Sequence, residues 1–339
     1  KGAFAIANLL TNKHIVNIVF LKTKEEENIN LYDNPEIRYI FLGKYQNFFT
    51  KLLRFRELFK NKKKEKTIIF SLCFSADFYT ILAKKGIHKI SSIRGNLYRN
   101  YFYSYSLFGL LLAFIHLYIQ RFFNLTLVMN NSIRIQVRQI SNTNILIIRN
   151  FIDEFKLEKY IKKEINKEKT PSFIFVGDLT KRKDPLSVLE AFREIKKNKD
   201  CILHIVGDGP LRKSLEKNIK KYNLERYVFM HGFLSKPYEL ISNCDVFVLP
   251  SYSEGTPRAA MEALFLGVPC VLRNVDCNSD LVNRSIMNCN LFQSNEELPV
   301  IMLKTLKESR SRLKKFKLLP DEFRLNSIID KYESVFDIN

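Results

Sequence analysis

Cysteine is sparse in this chain, and its spacing excludes two large classes of protein. The six cysteines in 339 residues (Cys73, Cys201, Cys244, Cys270, Cys277 and Cys289) form no CxxC pair, and several stand inside apolar runs. They read as reduced structural thiols of a cytoplasmic protein, not as a disulfide framework or a redox pair. The five histidines and the cysteines show no metal-ligand spacing, so no metal site is expected. Low-complexity tracts and tandem repeats are missing, which argues against a disordered tail or a solenoid. The opening Lys1-Gly2-Ala3-Phe4-Ala5-Ile6 lacks the charged–apolar–small layout of a signal peptide and runs directly into a helix-like pattern. Acidic residues are the last shortage: 35 Asp and Glu face 55 Lys and Arg, a net charge of +20. The imbalance is concentrated in residues 1–150, where 8 acidic residues face 23 basic ones. A basic first half suits an anionic partner: phospholipid head groups, a lipid diphosphate or nucleic acid. A solvated basic surface is the plainer reading of the same charge.

What is present is regular. The length suffices for two ordinary domains, and 46% apolar content supplies a core for each. In the first half, short apolar strands (15–21, 37–42, 67–72, 88–93, 125–129 and 144–148) alternate with helical patterns at 46–60, 74–85 and 132–140. This alternation predicts a doubly wound parallel sheet. The lysine-rich residues 61–66 read as a solvated loop. Residues 100–120 carry no formal charge between Arg99 and Arg121, which is the length of a membrane span. They also hold Asn100, Ser104, Ser106, His116 and Gln120. A domain helix with an exposed aromatic flank, either packed or lying at a membrane interface, fits this pattern better than a span. The second half alternates in the same way: strands at 172–176, 201–206, 227–231, 245–249 and 268–272, and helices at 184–197, 210–222, 236–243, 298–317 and 321–336. Asp184 is placed as a helix cap with Pro185 in the first turn.

The stretch 244–270 organises the reading. A buried strand at 245–249 breaks at Pro250-Ser251-Tyr252-Ser253, and a helix opens at Glu254-Gly255-Thr256-Pro257. Thr256 is placed as its cap and Gly267 as its stop. In an open parallel sheet a ligand binds just beyond the carboxyl ends of the strands, where residues 253–257 lie. The N–H groups of the helix start favour an anion such as a diphosphate. Glu254 before that start and Glu262 in the second turn can each accept hydrogen bonds from sugar hydroxyls. Either Glu alone could equally be an ordinary helix-end charge.

The whole string resembles the Glu-x7-Glu segment of the retaining GT-B glycosyltransferases of family 4. Its pattern is matched at Pro250, Ser251, Glu254, Gly255, Pro257, Glu262, Ala263, Gly267 and Pro269. Phe175-Val-Gly177-Asp-Leu179-Thr-Lys181-Arg182-Lys183 resembles the family's G-R-L-x-x-x-K segment, with Lys183 on the Lys position and Asp178 where Arg is usual. Arg182 or Lys181 is the candidate replacement for that missing cation. Gly207 and Gly209 resemble the family's second glycine turn, and Gly232-Phe233-Leu234 the strand end that borders the base. Residues 147–153, around Asn150, resemble the turn that closes the family's first domain. A first strand and a glycine turn precede the opening helix in that family, so Gly2 is expected to be what remains of the turn.

The resemblance implies an α/β protein of GT-B fold, two Rossmann-like domains facing across a cleft. The expected parts are an acceptor-binding domain at 1–150, a linker at 151–170, a nucleotide-sugar domain at 171–320, and a C-terminal helix at 321–339 packing back on the first domain. It implies sugar transfer from a nucleotide-sugar, UDP-linked by preference, to an acceptor hydroxyl with retention of configuration and without a metal or other cofactor. Glu254 would hold donor sugar hydroxyls and Glu262 the ribose. Lys183, Arg182 and the amides of Gly255, Thr256 and Arg258, with Pro257 and Gly177 shaping the turns, would surround the diphosphate. Arg94, with Asn96, stands where many relatives carry a His on the acceptor side. The partners implied are the nucleotide-sugar, a lipid-linked oligosaccharide acceptor and an anionic membrane surface at the cytoplasmic face, in O-antigen or capsule assembly. Two rivals remain: a binding protein of the same fold without catalysis, and, on charge alone, a nucleic-acid binder. No nucleic-acid module appears, so no nucleic-acid partner is expected.

Overall fold

Short β-branched and aromatic runs, each followed by an amphipathic segment, form strand–helix units throughout the chain. The computed structural model describes residues 2–22, 34–45, 47–60, 67–162, 164, 168–275, 278–282 and 288–337. The lysine-rich loop expected at 61–66, Cys277 and part of the 151–170 linker lie outside the described residues. The chain divides into two units: residues 1–98, 107–149 and 326–339 form the first, and residues 99–106 and 150–325 the second.

In the first unit, α1 (Gly2–Leu10), β1 (Asn17–Phe20), β2 (Arg38–Phe41), α2 (Phe48–Glu57), β3 (Ile68–Ser71), α3 (Phe74–Ile81), β4 (His88–Ile93), the long α4 (Leu97–Ile119), β5 (Leu125–Val128), α5 (Asn131–Arg138) and β6 (Ile145–Ile147) follow in order. Ser106, at φ 54° and ψ −140°, breaks α4 into two helical segments, and residues 99–106 belong to the second unit. The continuous sheet expected from the sequence is divided here. Strands β3-β4-β5-β6 form a four-stranded parallel sheet, and β1-β2 form a separate parallel pair. Leu42, Phe55, Ile69 and Tyr79 pack in one apolar cluster that joins the pair, α2 and β3. Helix α11 (Leu325–Phe336) completes this unit through Lys13–Glu333, 2.6 Å apart, and a Phe70–Phe336 edge contact.

The second unit runs β7 (Ser172–Val176), α6 (Pro185–Lys196), β8 (Ile202–Val206), α7 (Arg212–Lys221), β9 (Val228–Gly232), α8 (Tyr238–Asn243), β10 (Val246–Leu249), α9 (Arg258–Phe265), β11 (Cys270–Arg273), β12 (Cys289–Phe292) and α10 (Leu298–Ser311). Its six strands are parallel in the order β12-β11-β10-β7-β8-β9. The chain winds outward in one direction from β7 and in the other from β10. These two adjacent strands therefore form a topological switch point, where the loops leaving their carboxyl ends diverge and open a crevice.

Three local expectations are corrected. The helix expected over 298–317 stops at Ser311, because Leu318 and Leu319 must turn back into the core. The intervening Lys315 donates to the carbonyls of Ser242 and Cys244. The helix expected from 321 is a single 3-10 turn at 321–323, and α11 begins at Leu325. Strand β12 was not anticipated: Cys-Asn-Leu-Phe is too short and mixed to announce itself, and only pairing with β11 makes it a strand.

Candidate active site

Strand β7 is followed by the turn 177–184 and β10 by the loop 250–257, so neighbouring strands deliver these two segments to one place. They are laced together. The Tyr252 N–H donates to the Arg182 carbonyl at 2.9 Å, and Arg182 Nη1 donates to the Ser253 carbonyl at 2.7 Å. The Lys183 ammonium lies 2.5 Å from Glu254 Oε1, and Arg182 Nη1 lies 3.5 Å from the same oxygen. Glu254 is buried, and Lys183 and Arg182 are partly so. A buried carboxylate is tolerable only with such pairing, and this one has two cations. Lys181 and Asp178 are exposed. Of the two candidate replacements for the cation missing at 178, Arg182 is therefore the one held at Glu254.

Helix α9 begins immediately after this cluster. Thr256 is not its cap: Pro257 occupies that position and Arg258 is the first helical residue. Thr256 is held just before the helix by its carbonyl, which accepts from Asn150 Nδ2 at 2.8 Å, with both residues buried. Asn150 thus tethers the turn at the end of the first half to the entry of α9. The N–H groups of the first turn have no acceptor within the helix and carry its positive dipole end. Glu262 lies in the second turn and is buried. Tyr238 on α8 is its neighbour, and burial, with the Glu262 charge adding to it, pushes the Tyr238 phenol up.

The two glycine turns have a steric cause. Gly207 and Gly209 adopt φ of +139° and +154°, and a Cβ at Gly207 would stand 1.9 Å from the Gly177 carbonyl oxygen. At Gly209 it would meet the Leu179 carbonyl oxygen at 2.7 Å. The backbones of 177–179 and 207–209 lie against each other through Leu179 N–H to Asp208 O, 2.9 Å. These glycines shape the β7 turn that presents Lys183. Gly232 also has positive φ, and Phe233 after it is 73% exposed, with Leu234 at 37%. Arg94 follows β4 in the first unit, half-buried; Asn96 beside it accepts from Gln136 Nε2 at 3.0 Å.

One residue escaped the sequence reading. Arg273 ends β11, buried, with its guanidinium between the Tyr252 ring at 4.3 Å and the Phe292 ring at 4.9 Å. It donates to the Pro250 carbonyl at 3.0 Å and to Asn295 Oδ1 at 2.5 Å, and it lies 3.5 Å from Asp184 Oδ2. Asp184 caps α6 directly after Lys183, accepting from the Ser187 N–H. Arg273 therefore pins the loop carrying Glu254 and the turn carrying Lys183 at once. Its only sequence signal was an Arg closing a buried apolar strand. Among the described residues, no three His, Cys, Asp or Glu side chains gather as a metal-binding group.

Comparison with known proteins converges on this same region. Residues 157–315 match the family model for glycosyl transferases group 1. Over 149 residues the chain is 37% identical to the UDP-Gal:alpha-D-GlcNAc-diphosphoundecaprenol alpha-1,3-galactosyltransferase of Escherichia coli, covering 41% of this chain and 38% of that protein. Over 348 positions it is 25% identical to the O-antigen biosynthesis glycosyltransferase WclY of Escherichia coli, covering 98% and 92% of the two chains. Among solved structures, Anabaena HepE in complex with UDP-glucose superposes with a TM-score of 0.76 at 15% identity, covering 98% of this chain and 95% of that one. That likeness identifies the fold as GT-B.

Proposed function

We propose that this chain is a retaining glycosyltransferase that moves a sugar from a UDP-sugar to a hydroxyl of a lipid-linked glycan at the cytoplasmic face of the membrane, in cell-surface polysaccharide synthesis. The observation that carries the proposal is the Lys183–Arg182–Glu254 cluster at the β7/β10 switch point, directly before the start of α9. Breaking the bond between the anomeric carbon and the diphosphate leaves about two or more negative charges on the leaving group. Preorganised cations and amide dipoles stabilise such charge most where water is excluded. Lys183, Arg182 and the first-turn N–H groups of α9 supply both, and no metal or other cofactor is assigned a role. In this reading the acceptor oxygen bonds to the anomeric carbon on the face the diphosphate leaves, and the acceptor proton passes to the departing diphosphate oxygen. Glu254 orients the donor sugar through its hydroxyls, and Glu262 holds the ribose. Arg94 is assigned to the acceptor. Support for the lipid-linked acceptor comes from the basic first half of the chain and from the diphosphoundecaprenol in the name of the Escherichia coli galactosyltransferase, and support for polysaccharide synthesis from the O-antigen in the name of WclY.

The test is binding and turnover with UDP-, GDP- and ADP-sugars, with Glu262→Ala in parallel. One donor should bind saturably, and the variant should weaken it at least about 10-fold, the loss of a hydrogen-bonded charged contact. Equal binding by the variant would remove Glu262 from the site. Binding without transfer to any hydroxyl acceptor would assign the chain to a non-catalytic relative of the fold.

A further inference from the structure

Helix α4 carries two opposed stripes. Gly109, Ala113, His116, Leu117 and Gln120 recur at helical spacing and are buried. On the opposite side, Leu107, Phe108, Leu111, Phe114, Tyr118 and Phe122 face outward, from 42% to 74% exposed. A surface helix ordinarily turns charged residues to that side. Here the outward stripe from 107 to 120 has no charge of either sign, and Arg121 closes it with its guanidinium 4.5 Å from the Tyr118 ring centre. Helices α3 and α2 continue the surface. Phe74 on α3 touches His116, Phe78 touches Phe48, and α2 exposes Phe49 and Leu53 beside Lys51 and Arg54.

Residues 97–122 are long and apolar enough to cross a membrane by length and composition, and only 28% of their most apolar window is buried, but the helix is broken at Ser106. Two features hold it on the sheet instead. It is the crossover between β4 and β5, which pair in parallel, so both its ends are fixed to one sheet. His116 Nε2 and Gln120 Nε2 lie 2.7 and 2.8 Å from Asp77 Oδ2 in the core of the unit, and Ser91 Oγ also donates to that oxygen. Crossing a bilayer would tear these groups from their partners.

We propose that the outward face of α4, from Leu107 to Phe122, lies in the interface of an anionic lipid bilayer. The inference rests on the membrane-face location proposed above and not on the donor chemistry. Sixteen residues span about 24 Å along the membrane plane. Their apolar side chains enter the head-group boundary while the neighbouring basic residues meet lipid phosphates. Charge decides the occupant. Residues 97–122 contain no Asp or Glu, α2 has Glu57 as its one acidic residue, and the whole chain is +20. A second copy would bring like charge to like charge, whereas an anionic bilayer brings the opposite sign.

Flotation of the full chain with vesicles of phosphatidylcholine alone, and of phosphatidylcholine with phosphatidylglycerol, tests this. Binding should be strong on the anionic vesicles and weaken with added salt, and the double variant Leu107→Glu, Leu111→Glu should bind them at least about tenfold more weakly. Both side chains are exposed, so the variant should keep its circular dichroism and its UDP-sugar binding. The milder Leu107→Ser, Leu111→Ser pair should fall between. Equal partition onto neutral vesicles, unchanged binding by the Glu variant, or a wild-type dimer that the variant dissolves would each overturn the proposal. Loss of UDP-sugar binding in both the variant and wild type would count against the donor site and not against this face.

Discussion

The two units place their polar groups and their exposed apolar surface differently. In the second, a large apolar sheet core surrounds a few paired polar groups, such as Asp245, which accepts from the Ser172 N–H, and charge gathers at the strand ends, where Lys183, Arg182 and Glu254 meet beside the start of α9. In the first, a polar cluster lies in the interior: Asp77 is 1% exposed and accepts from Ser71, Ser91, His116 and Gln120. Its outer surface is apolar along α4. The second arrangement suits a soluble ligand that must be surrounded by charge. The first fastens a helix from within so that its outer face can remain apolar.

Substitutions at three positions probe that contrast. Gly207→Ala forces a Cβ to within 1.9 Å of the Gly177 carbonyl oxygen at an unfavourable φ, so the backbone contact shaping the β7 turn must break. It should destabilise the protein by about 4 kcal/mol or more, read by urea denaturation. A near-neutral result would mean that the turn is slack and that the second unit does not depend on its rigidity. Asp77→Ala leaves buried donors without their acceptor and should cost about 3–5 kcal/mol by the same measurement. Asp77→Asn should cost less, since it keeps an acceptor oxygen. A cost near zero for both would make the interior cluster incidental and dissolve the contrast. The smallest effect is on pH dependence. Burial, with His231 2.9 Å away and Lys169 nearby, pushes His204 down to about 4. Between pH 4 and 6.5 the unfolded chain therefore binds more protons at this position than the folded one. Stability should fall as pH drops through that window and level off below about 4, by on the order of 1 kcal/mol after solvent screening. His204→Gln should flatten that part of the pH–stability curve, and an unchanged slope would place its origin elsewhere.

Legibility in the sequence follows the range of the interactions. The strand, loop and helix of 245–265 could be read because punctuation and periodicity are local, and Lys183 could be paired with that loop through the family pattern. The position of Thr256 outside α9 was illegible because the side chain that holds it, Asn150, lies 106 residues away. The Asp77 cluster was illegible for the same reason: His116 and Gln120 lie 39 and 43 residues on, and in sequence they look like polar interruptions of an apolar helix. Arg273 acts partly through main-chain carbonyls, which carry no residue-specific signature, and partly through Asp184, 89 residues away in sequence.

The closing position of α11 has a consequence for how the chain acquires its shape. The second unit draws all but residues 99–106 from one stretch, 150–325, which is complete once residue 325 has been made. The first unit includes residues 1–98 yet lacks the partners of Lys13 and Phe70 until Glu333 and Phe336 have been made. Its all-parallel strands cannot nucleate from a local hairpin, and such long-range pairing is intrinsically slow. During synthesis residues 1–98 are thus made before residues 150–325 but completed after them, and the apolar face of α4 is already made throughout that delay.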